Sequence, residues 1–161
     1  MRKGTELKKI LFVCLGNICR SPMAEEVFRQ YIKDCGEEDK WIIDSAGIGS
    51  WHVGQLPDRR MRNAAKEHGY NLTMRARQVC TEDFDEFDFI IAMDEGNVKD
   101  LRRITRCRDD ANKIMRMADF LTDHPDQSTI PDPYYGSTED FHKVIELLED
   151  AVKGLYERVN E

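Results

Sequence analysis

The stretch Lys9–Glu26 constrains the fold of this chain more than any other part of the sequence, because it has the pattern of a strand, a loop and the start of a helix. Residues 10–13 are apolar and partly β-branched, which is typical of a buried strand. The loop 14–20 follows, with one Gly and one Asn where unusual backbone angles are tolerated. Ser21 and Pro22 then have the order of a helix N-cap and a proline at the first helical position. The sequence therefore predicts a loop that is closed by a helix N-terminus.

A loop of this kind is suited to an oxyanion. Its backbone N–H groups and the positive end of the helix dipole form a site for phosphate. The same field stabilises a thiolate, which makes Cys14 a candidate nucleophile. Arg20 adds a planar guanidinium that can hold two phosphate oxygens. The alternative is that Cys14 is a small buried hydrophobic residue at a strand end, as most free cysteines are. The surrounding loop favours a catalytic site that handles phosphate.

Length and charge limit the remaining possibilities. The 161 residues are enough for one domain with a single core, 1–161, in which we expect residues 1–8 to be flexible. A formal charge of −7 argues against a nucleic-acid surface, so anion binding has to be local to the loop. No apolar run is long enough to span a membrane, and the first residues lack the apolar segment of a signal peptide. Five scattered cysteines do not form a secreted disulfide framework, so we expect a cytoplasmic protein with reduced thiols.

Strand-like and helix-like segments alternate along the chain. Strands are expected at 10–13, 41–46, 87–93 and 113–117, and helices at 23–32, 57–68, 94–104 and 138–159. This alternation predicts an α/β domain in which helices cover both faces of a parallel sheet. Sites in such sheets lie at the carboxyl ends of the strands. Cys14, Ser45 and Asp94 all fall at that edge.

A second loop, Ile130–Gly136, carries a candidate general acid. Phosphoryl transfer to a cysteine expels an alkoxide or phenolate, which has to be protonated as it leaves. Two prolines stiffen the loop and fix Asp132 between them. A carboxyl group beside a bound anion is favoured in its protonated form, which can donate. The alternative is an ordinary turn, since Asp, Pro and Gly are frequent turn residues.

The segment Val13–Glu25 resembles the signature of the low-molecular-weight protein tyrosine phosphatases, and Asp132–Gly136 is similar to the second signature of that family. The resemblance also covers residues 76–78, 82–84 and 87–95. It implies a single three-layer domain with a four-stranded parallel sheet. It also implies hydrolysis of protein phosphotyrosine and small aryl phosphates through a cysteinyl-phosphate, with Asp132 as the general acid. Tyrosine-phosphorylated proteins would be the substrates, phosphate and other oxyanions would inhibit, and no metal or cofactor would be needed. We expect a monomer.

The resemblance also assigns roles to other positions. Ser21 would donate a hydrogen bond to the sulfur of Cys14, and Asn17 would hold the loop to its neighbours, with Ser45 and Asp94 in support. The phosphate-binding loop would comprise Leu15, Gly16, Asn17, Ile18, Cys19 and Ser21.

Aromatic side chains are expected to form the walls of the substrate site, because they can stack on a phosphotyrosine ring. The candidates are Trp51, Tyr134 and Tyr135; the alternative for Trp51 is a core tryptophan that covers the sheet edge. Ile18 indicates phosphotyrosine, because relatives that act on phosphoarginine tend to carry Thr there. Met74 is a departure from the family, because many animal members have a His there that can pair with the residue corresponding to Asp44.

Cys19 has two interpretations: a packed thiol, or a redox partner that forms a reversible disulfide with Cys14 and protects it from irreversible oxidation. The family resemblance supports the second. The four His residues have no metal-ligand spacing, so we expect no metal site.

Two other functions share parts of this pattern. A thiol-dependent arsenate reductase has the same loop, but it needs neighbouring cysteines, and Cys80 and Cys107 are far apart in sequence. A phosphotyrosine-binding module without activity is the second alternative. The presence of Cys14, Arg20 and Asp132 together argues against it.

Overall fold

The computed structural model describes residues 6–161 and contains one four-stranded sheet. Its strands are β1 (Lys8–Cys14), β2 (Trp41–Gly47), β3 (Phe89–Ala92) and β4 (Ile114–Arg116), in the spatial order β2-β1-β3-β4. All neighbouring pairs are parallel, and Val13 lies opposite both Ala46 and Ala92. The prediction of a four-stranded parallel sheet is confirmed.

Within residues 6–161, six helices connect and cover the strands. They are α1 (Arg20–Asp34), α2 (Arg59–Glu67), α3 (Asp83–Glu86), α4 (Glu95–Arg103), α5 (Arg108–Asn112) and α6 (Thr138–Val159). Short 3-10 turns occupy Glu38–Lys40 and Met117–Phe120. None of the helices in the described part of the chain combines the length and apolar character of a membrane span.

The side chains of β1 contribute alternately to two hydrophobic layers, because successive side chains of a strand point to opposite faces of the sheet. Ile10 and Phe12 join the larger core, which α1, α2 and α6 cover. Leu11 and Val13 join the smaller core on the other face, with apolar residues from α3 and α4. Helices on both faces confirm the predicted three-layer arrangement.

The long closing helix was predictable from its apolar stripe. Six apolar residues recur at helical spacing in this segment, and all are buried in α6: Phe141, Val144, Ile145, Leu148, Val152 and Leu155. Ser137 is the residue before the helix, and its backbone N–H donates to the Asp140 carboxylate at 2.8 Å. This contact satisfies a donor at the helix start, where intrahelical partners are missing.

The structure corrects several expected boundaries. Helix α1 begins at Arg20 with Cys19 in the cap position, so Ser21 is not the N-cap and Pro22 is not the first helical residue. The reason is that the Ser21 hydroxyl is engaged with the sulfur of Cys14 and the amide of Asn17. Pro22 still lies in the first turn, where its missing N–H has no intrahelical role.

Smaller differences occur at other elements. The third strand, expected over 87–93, is shortened to Phe89–Ala92, and α3 and α5 were not predicted. We expected residues 1–8 to be flexible, and residues 1–5 of that segment lie outside the described part of the chain. Lys8 is the first residue of β1, and its ammonium group donates a hydrogen bond to Asn160.

Candidate active site

The loop after β1 curls around a small space at the carboxyl edge of the sheet. Cys14 ends β1 and Arg20 begins α1, and both side chains are almost fully buried, with 3% and 2% of their surface exposed. Asn17 has a φ of 58°, in the left-handed region that asparagine tolerates better than most side chains. At Gly47, at the end of β2, an added Cβ would lie 2.9 Å from the carbonyl carbon of Gly16. The neighbouring strand therefore supports the loop backbone by direct contact.

The sulfur of Cys14 has two polar contacts with Ser21. The Ser21 hydroxyl oxygen is 3.0 Å from Sγ, and the Ser21 backbone N–H donates to Sγ at 3.4 Å. Hydrogen bonds donated to a sulfur anion favour the ionised form. The start of α1 therefore places both a hydroxyl group and a donating peptide N–H against this sulfur.

Arg20 is held by two distant segments of the chain. Its Nη1 donates to Asp94 at 2.6 Å and to the carbonyl oxygen of Ile130 at 3.0 Å, and its Nη2 lies 3.7 Å from Asp132. Burial alone would lower the pKa of Arg20, but Cys14, Asp94 and Asp132 together raise it above its usual value. A permanently charged guanidinium therefore stands beside the Cys14 loop.

Asp132 lies at the rim of the site, where 40% of its side chain is exposed. Its Oδ1 accepts a hydrogen bond from the backbone N–H of Tyr134 at 3.1 Å, and the loop is closed by a 2.8 Å bond from the Gly136 N–H to the Pro133 carbonyl. The carboxyl group is thus oriented by its own loop and remains open to solvent and substrate.

A cavity of about 300 Å³ connects these groups. It is lined by Cys14, Leu15, Gly16, Ile18, Cys19, Arg20, Trp51, His52, Asp132, Tyr134 and Tyr135. Trp51 is 68% exposed and Tyr135 is 96% exposed, so the alternative of a core tryptophan is wrong. Gly49 permits the Trp51 ring to fold back, because a Cβ there would lie 1.9 Å from the ring. The mouth of the cavity is therefore aromatic and its floor is polar.

Asn17 and Ser45 lie behind the loop rather than in the cavity. The Asn17 side-chain NH₂ donates to the Ser21 hydroxyl at 2.8 Å and to the Ser45 hydroxyl at 3.0 Å. Ser45 in turn donates to the buried carboxylate of Glu25 at 2.6 Å. The backbone N–H of Arg77 donates to Asn17 Oδ1 at 3.0 Å. Asn17 therefore joins the loop to α1, to β2 and to the segment before α3.

Several contributors were missed by the sequence reasoning. Glu25 was considered only as the last residue of the segment Val13–Glu25, without a role of its own. Arg77 was given no role either, yet its guanidinium pairs with Asp44 at 3.0 Å and with Asp83 at 3.0 Å. Asp44 is thus paired with an arginine. His52 was missed as well, and no spacing rule points to a single histidine in a loop.

Helix α2 connects the two functional loops. The backbone N–H of Asp58 donates to the Ile18 carbonyl at 2.8 Å, and the Asp58 carboxylate holds Arg60 at 2.9 Å. The Arg60 guanidinium lies 5.3 Å from the ring centre of Tyr134 and 4.7 Å from that of Phe141. Such cation–π contacts stabilise the position of an aromatic ring. Arg60 was not anticipated, since nothing in its sequence context marks it.

Cys19 is buried but still borders the cavity. Burial, and then the negative charges of Asp58, Cys14 and Asp132, raise the pKa of this thiol. All five cysteines are free thiols, and Cys80 and Cys107 are exposed. Within residues 6–161, no three or more His, Cys, Asp or Glu side chains are grouped so that they could hold a metal ion.

Comparison with known proteins gives a consistent result. The family model described as low molecular weight phosphotyrosine protein phosphatase matches residues 9–161. The low molecular weight phosphotyrosine protein phosphatase of Sus scrofa is 42% identical over 94% of this chain and 96% of its own length. The low molecular weight protein-tyrosine-phosphatase of Streptomyces coelicolor is 41% identical, over 95% of this chain and 94% of its own length.

A solved structure agrees with the sequence comparisons. The crystal structure of a protein tyrosine phosphatase from Entamoeba histolytica, with Hepes in its active site, superposes with a TM-score of 0.91 at 44% identity. The alignment covers 95% of this chain and 97% of that one. The chain therefore belongs to the low molecular weight phosphotyrosine protein phosphatase family.

Proposed function

We propose that Cys14, Arg20 and Asp132 carry out the hydrolysis of protein phosphotyrosine in this chain, as nucleophile, phosphate clamp and general acid. Membership of the family makes the chain a protein tyrosine phosphatase, which reacts through a cysteinyl-phosphate and needs no metal. The observation that carries the residue assignment is the position of one buried guanidinium between the two loops. Arg20 contacts Asp94 and the Ile130 carbonyl while its Nη2 faces Asp132 across the cavity.

In the first step, the Cys14 thiolate attacks phosphorus in line with the ester oxygen. An Sγ–P bond forms as the P–O bond breaks, and Asp132 transfers its proton to the leaving phenolate oxygen. Arg20 and the N–H groups of the loop stabilise the charge on the equatorial oxygens.

In the second step, water replaces the tyrosine hydroxyl. The Asp132 carboxylate accepts a proton from that water as its oxygen attacks phosphorus, and the Sγ–P bond breaks. Inorganic phosphate leaves, the Cys14 thiolate is restored, and Asp132 again carries its proton. Each group returns to its starting state, so no external reductant or cofactor takes part.

The aromatic mouth supports phosphotyrosine over shorter phosphoamino acids. A ring that passes Trp51 and Tyr134 can stack on both and bring its phosphate to the floor of the cavity. A phosphoserine side chain has no ring that could stack at the same rim. Inhibition by phosphate and other oxyanions, a monomeric state and a cytoplasmic location are parts of the same proposal.

The direct test is to trap the intermediate. The wild-type enzyme, kept reduced and in excess EDTA, is mixed with a phosphotyrosine peptide, quenched in acid and digested for mass spectrometry. We expect turnover and a phosphoryl group on the peptide that contains Cys14, and no turnover of the matched phosphoserine peptide. Loss of activity in EDTA, a phosphoryl group on another residue, or no hydrolysis at all would contradict the proposal. The arsenate reductase alternative predicts arsenate-dependent oxidation of thiols instead.

The redox role of Cys19 has its own test. Mild peroxide treatment of the wild-type enzyme should inactivate it reversibly and produce a Cys14–Cys19 disulfide detected by peptide mass spectrometry. In Cys19→Ala, the same treatment should leave Cys14 as sulfinic or sulfonic acid, with activity that a thiol reductant does not restore. If the wild-type enzyme shows no such disulfide, Cys19 is a packed thiol and nothing more.

A further inference from the structure

A buried carboxylate outside the catalytic cavity ends a chain of hydrogen bonds that begins at Cys14. Glu25 lies on α1, and its Oε1 accepts a hydrogen bond from the Ser45 hydroxyl at 2.6 Å. Its Oε2 accepts another from Arg29 Nη2 at 2.6 Å. Burial raises the pKa of Glu25, whereas Ser45 and Arg29 oppose that increase. Because both oxygens face donors, the ionised form satisfies every contact of this side chain.

The amide of Asn17 has a defined orientation. Its Oδ1 accepts from the Arg77 backbone N–H at 3.0 Å, so its NH₂ group has to face the two serines. That group donates to Ser21 Oγ at 2.8 Å and to Ser45 Oγ at 3.0 Å. An amide nitrogen has two protons and accepts none, so both serine oxygens are acceptors in these bonds.

Each serine hydroxyl also has one proton, which it can donate to an acceptor. The proton of Ser45 points to the Glu25 carboxylate, which can only accept. The Ser21 proton can point to Cys14 Sγ at 3.0 Å or to the Ala46 carbonyl at 3.4 Å, and a sulfur anion at the shorter distance is the better acceptor. The donated protons therefore diverge from the Asn17 NH₂ group, on one side through Ser45 to Glu25 and on the other side through Ser21 to Cys14.

We propose that Glu25 is a positioning residue that orients Ser45 as an acceptor for Asn17, and that the anchored Asn17 keeps the Ser21 hydroxyl donating to the Cys14 thiolate. The proposal rests on the proposed function, in which Cys14 is the nucleophile. Glu25 touches neither substrate nor sulfur. It acts by leaving Ser45 with a free acceptor site for Asn17, which in turn holds Ser21.

Replacing Glu25 by glutamine is expected to reverse the direction of the hydrogen bond between position 25 and Ser45. Arg29 requires an acceptor and will bind the amide oxygen, which turns the new NH₂ group toward Ser45. The Ser45 oxygen then faces two donors, from positions 25 and 17, and its own proton has no acceptor. The bond that holds Asn17 weakens, and the Ser21 hydroxyl is released from its orientation toward Cys14.

The charges around Glu25 offer a matched control. They are Arg29 and Glu26 on α1, Asp44 on β2, and Arg77, which pairs with Asp44. Glu26 and Glu25 both bind Arg29, and the distance from Glu26 is 2.7 Å. Ser45, however, donates to Glu25 and not to Glu26. Glu26→Gln therefore removes an equal charge from the same helix and the same arginine while it leaves the hydrogen-bond chain intact.

The experiment measures how fast Cys14 reacts with neutral iodoacetamide as a function of pH, with the Cys14 peptide quantified by mass spectrometry. In Glu25→Gln the profile should move toward higher pH. Below the midpoint, the rate should fall about three- to tenfold, because part of a hydrogen bond to a charged group is lost. Glu26→Gln should follow the wild-type curve. Ser45→Ala should shift the profile as Glu25→Gln does, and the double variant should add little.

Each outcome decides the matter. Identical profiles for the wild type and both glutamine variants overturn the proposal, as do shifts of Glu25→Gln and Ser45→Ala that add in full. If Glu25→Gln does not fold, Ser45→Ala decides alone: an unshifted profile overturns the proposal and a shifted one supports it. Alkylation needs no turnover, so a failure to hydrolyse phosphotyrosine would contradict the proposed function without deciding this result.

Discussion

Hydrolysis of aryl phosphates is expected to disappear when Cys14 is replaced by serine. The two side chains are nearly the same size, so the loop and its contacts with Ser21 should persist. A serine hydroxyl, however, needs a neighbouring base to become a nucleophile, and the group within hydrogen-bond distance of this position is the Ser21 hydroxyl, which is not a base. We expect the turnover number to fall by about 10⁴-fold or more, as in other enzymes that lose their nucleophile. Steady-state hydrolysis of p-nitrophenyl phosphate measures it.

Two controls make this result specific. Cys107→Ser changes an exposed thiol at the start of α5 and should leave the rate unchanged. Inorganic phosphate should still raise the unfolding temperature of Cys14→Ser, since Arg20 and the loop N–H groups remain able to bind it. Activity of the serine variant close to that of the wild type would place the nucleophile elsewhere. Loss of the phosphate effect would mean that the substitution had damaged the loop.

The second large effect is expected for Asp132→Asn. Asparagine keeps the size of the side chain and can still accept the Tyr134 N–H bond, but it has no proton to transfer. The rate with phenyl phosphate should fall by about 10²–10⁴-fold, the usual contribution of a general acid. The loss should shrink as the leaving group becomes more acidic, because a stable phenolate needs no protonation. A series of substituted phenyl phosphates measures this dependence.

A loss of equal size for every leaving group would contradict the role of Asp132 as acid. It would indicate that the substitution had only disturbed the loop or its pair with Arg20. Asp126→Asn is the matched control, because it removes an exposed carboxylate shortly before the same loop. That variant should retain both the rate and the leaving-group dependence of the wild type.

Much of the fold was predictable because its cues are local. The apolar stripe of α6 and the short apolar run of β1 follow from helical and strand periodicity alone. The helices α3 and α5, with four and five residues, are too short to have a period and were missed. The start of α1 was misplaced for another reason: Ser21 has the composition of a cap, but a tertiary contact with Cys14 engages its hydroxyl.

The site was predictable where its chemistry lies in one segment. Cys14, Arg20 and Asp132 stand in short motifs, and the structure gathers them around one cavity. Arg77 and Glu25 were missed as partners of the loop because their contacts join positions far apart in sequence. The bond from Arg77 to Asn17 spans 60 residues, and the one from Ser45 to Glu25 spans 20. No local pattern encodes which distant arginine or acid will support a loop.

The burial of Arg20 has a consequence for how this protein can change. The same guanidinium that would hold the substrate also joins the first helix to Asp94 and to the Ile130 carbonyl, 110 residues away. A substitution there would leave the partly buried Asp94 carboxylate and a buried carbonyl without their donor, at a cost in folding stability as well as in catalysis. Activity and stability cannot be tuned separately at this residue. Variation that alters catalysis while sparing the fold is instead open to the exposed rim, at positions such as Trp51 and Tyr135.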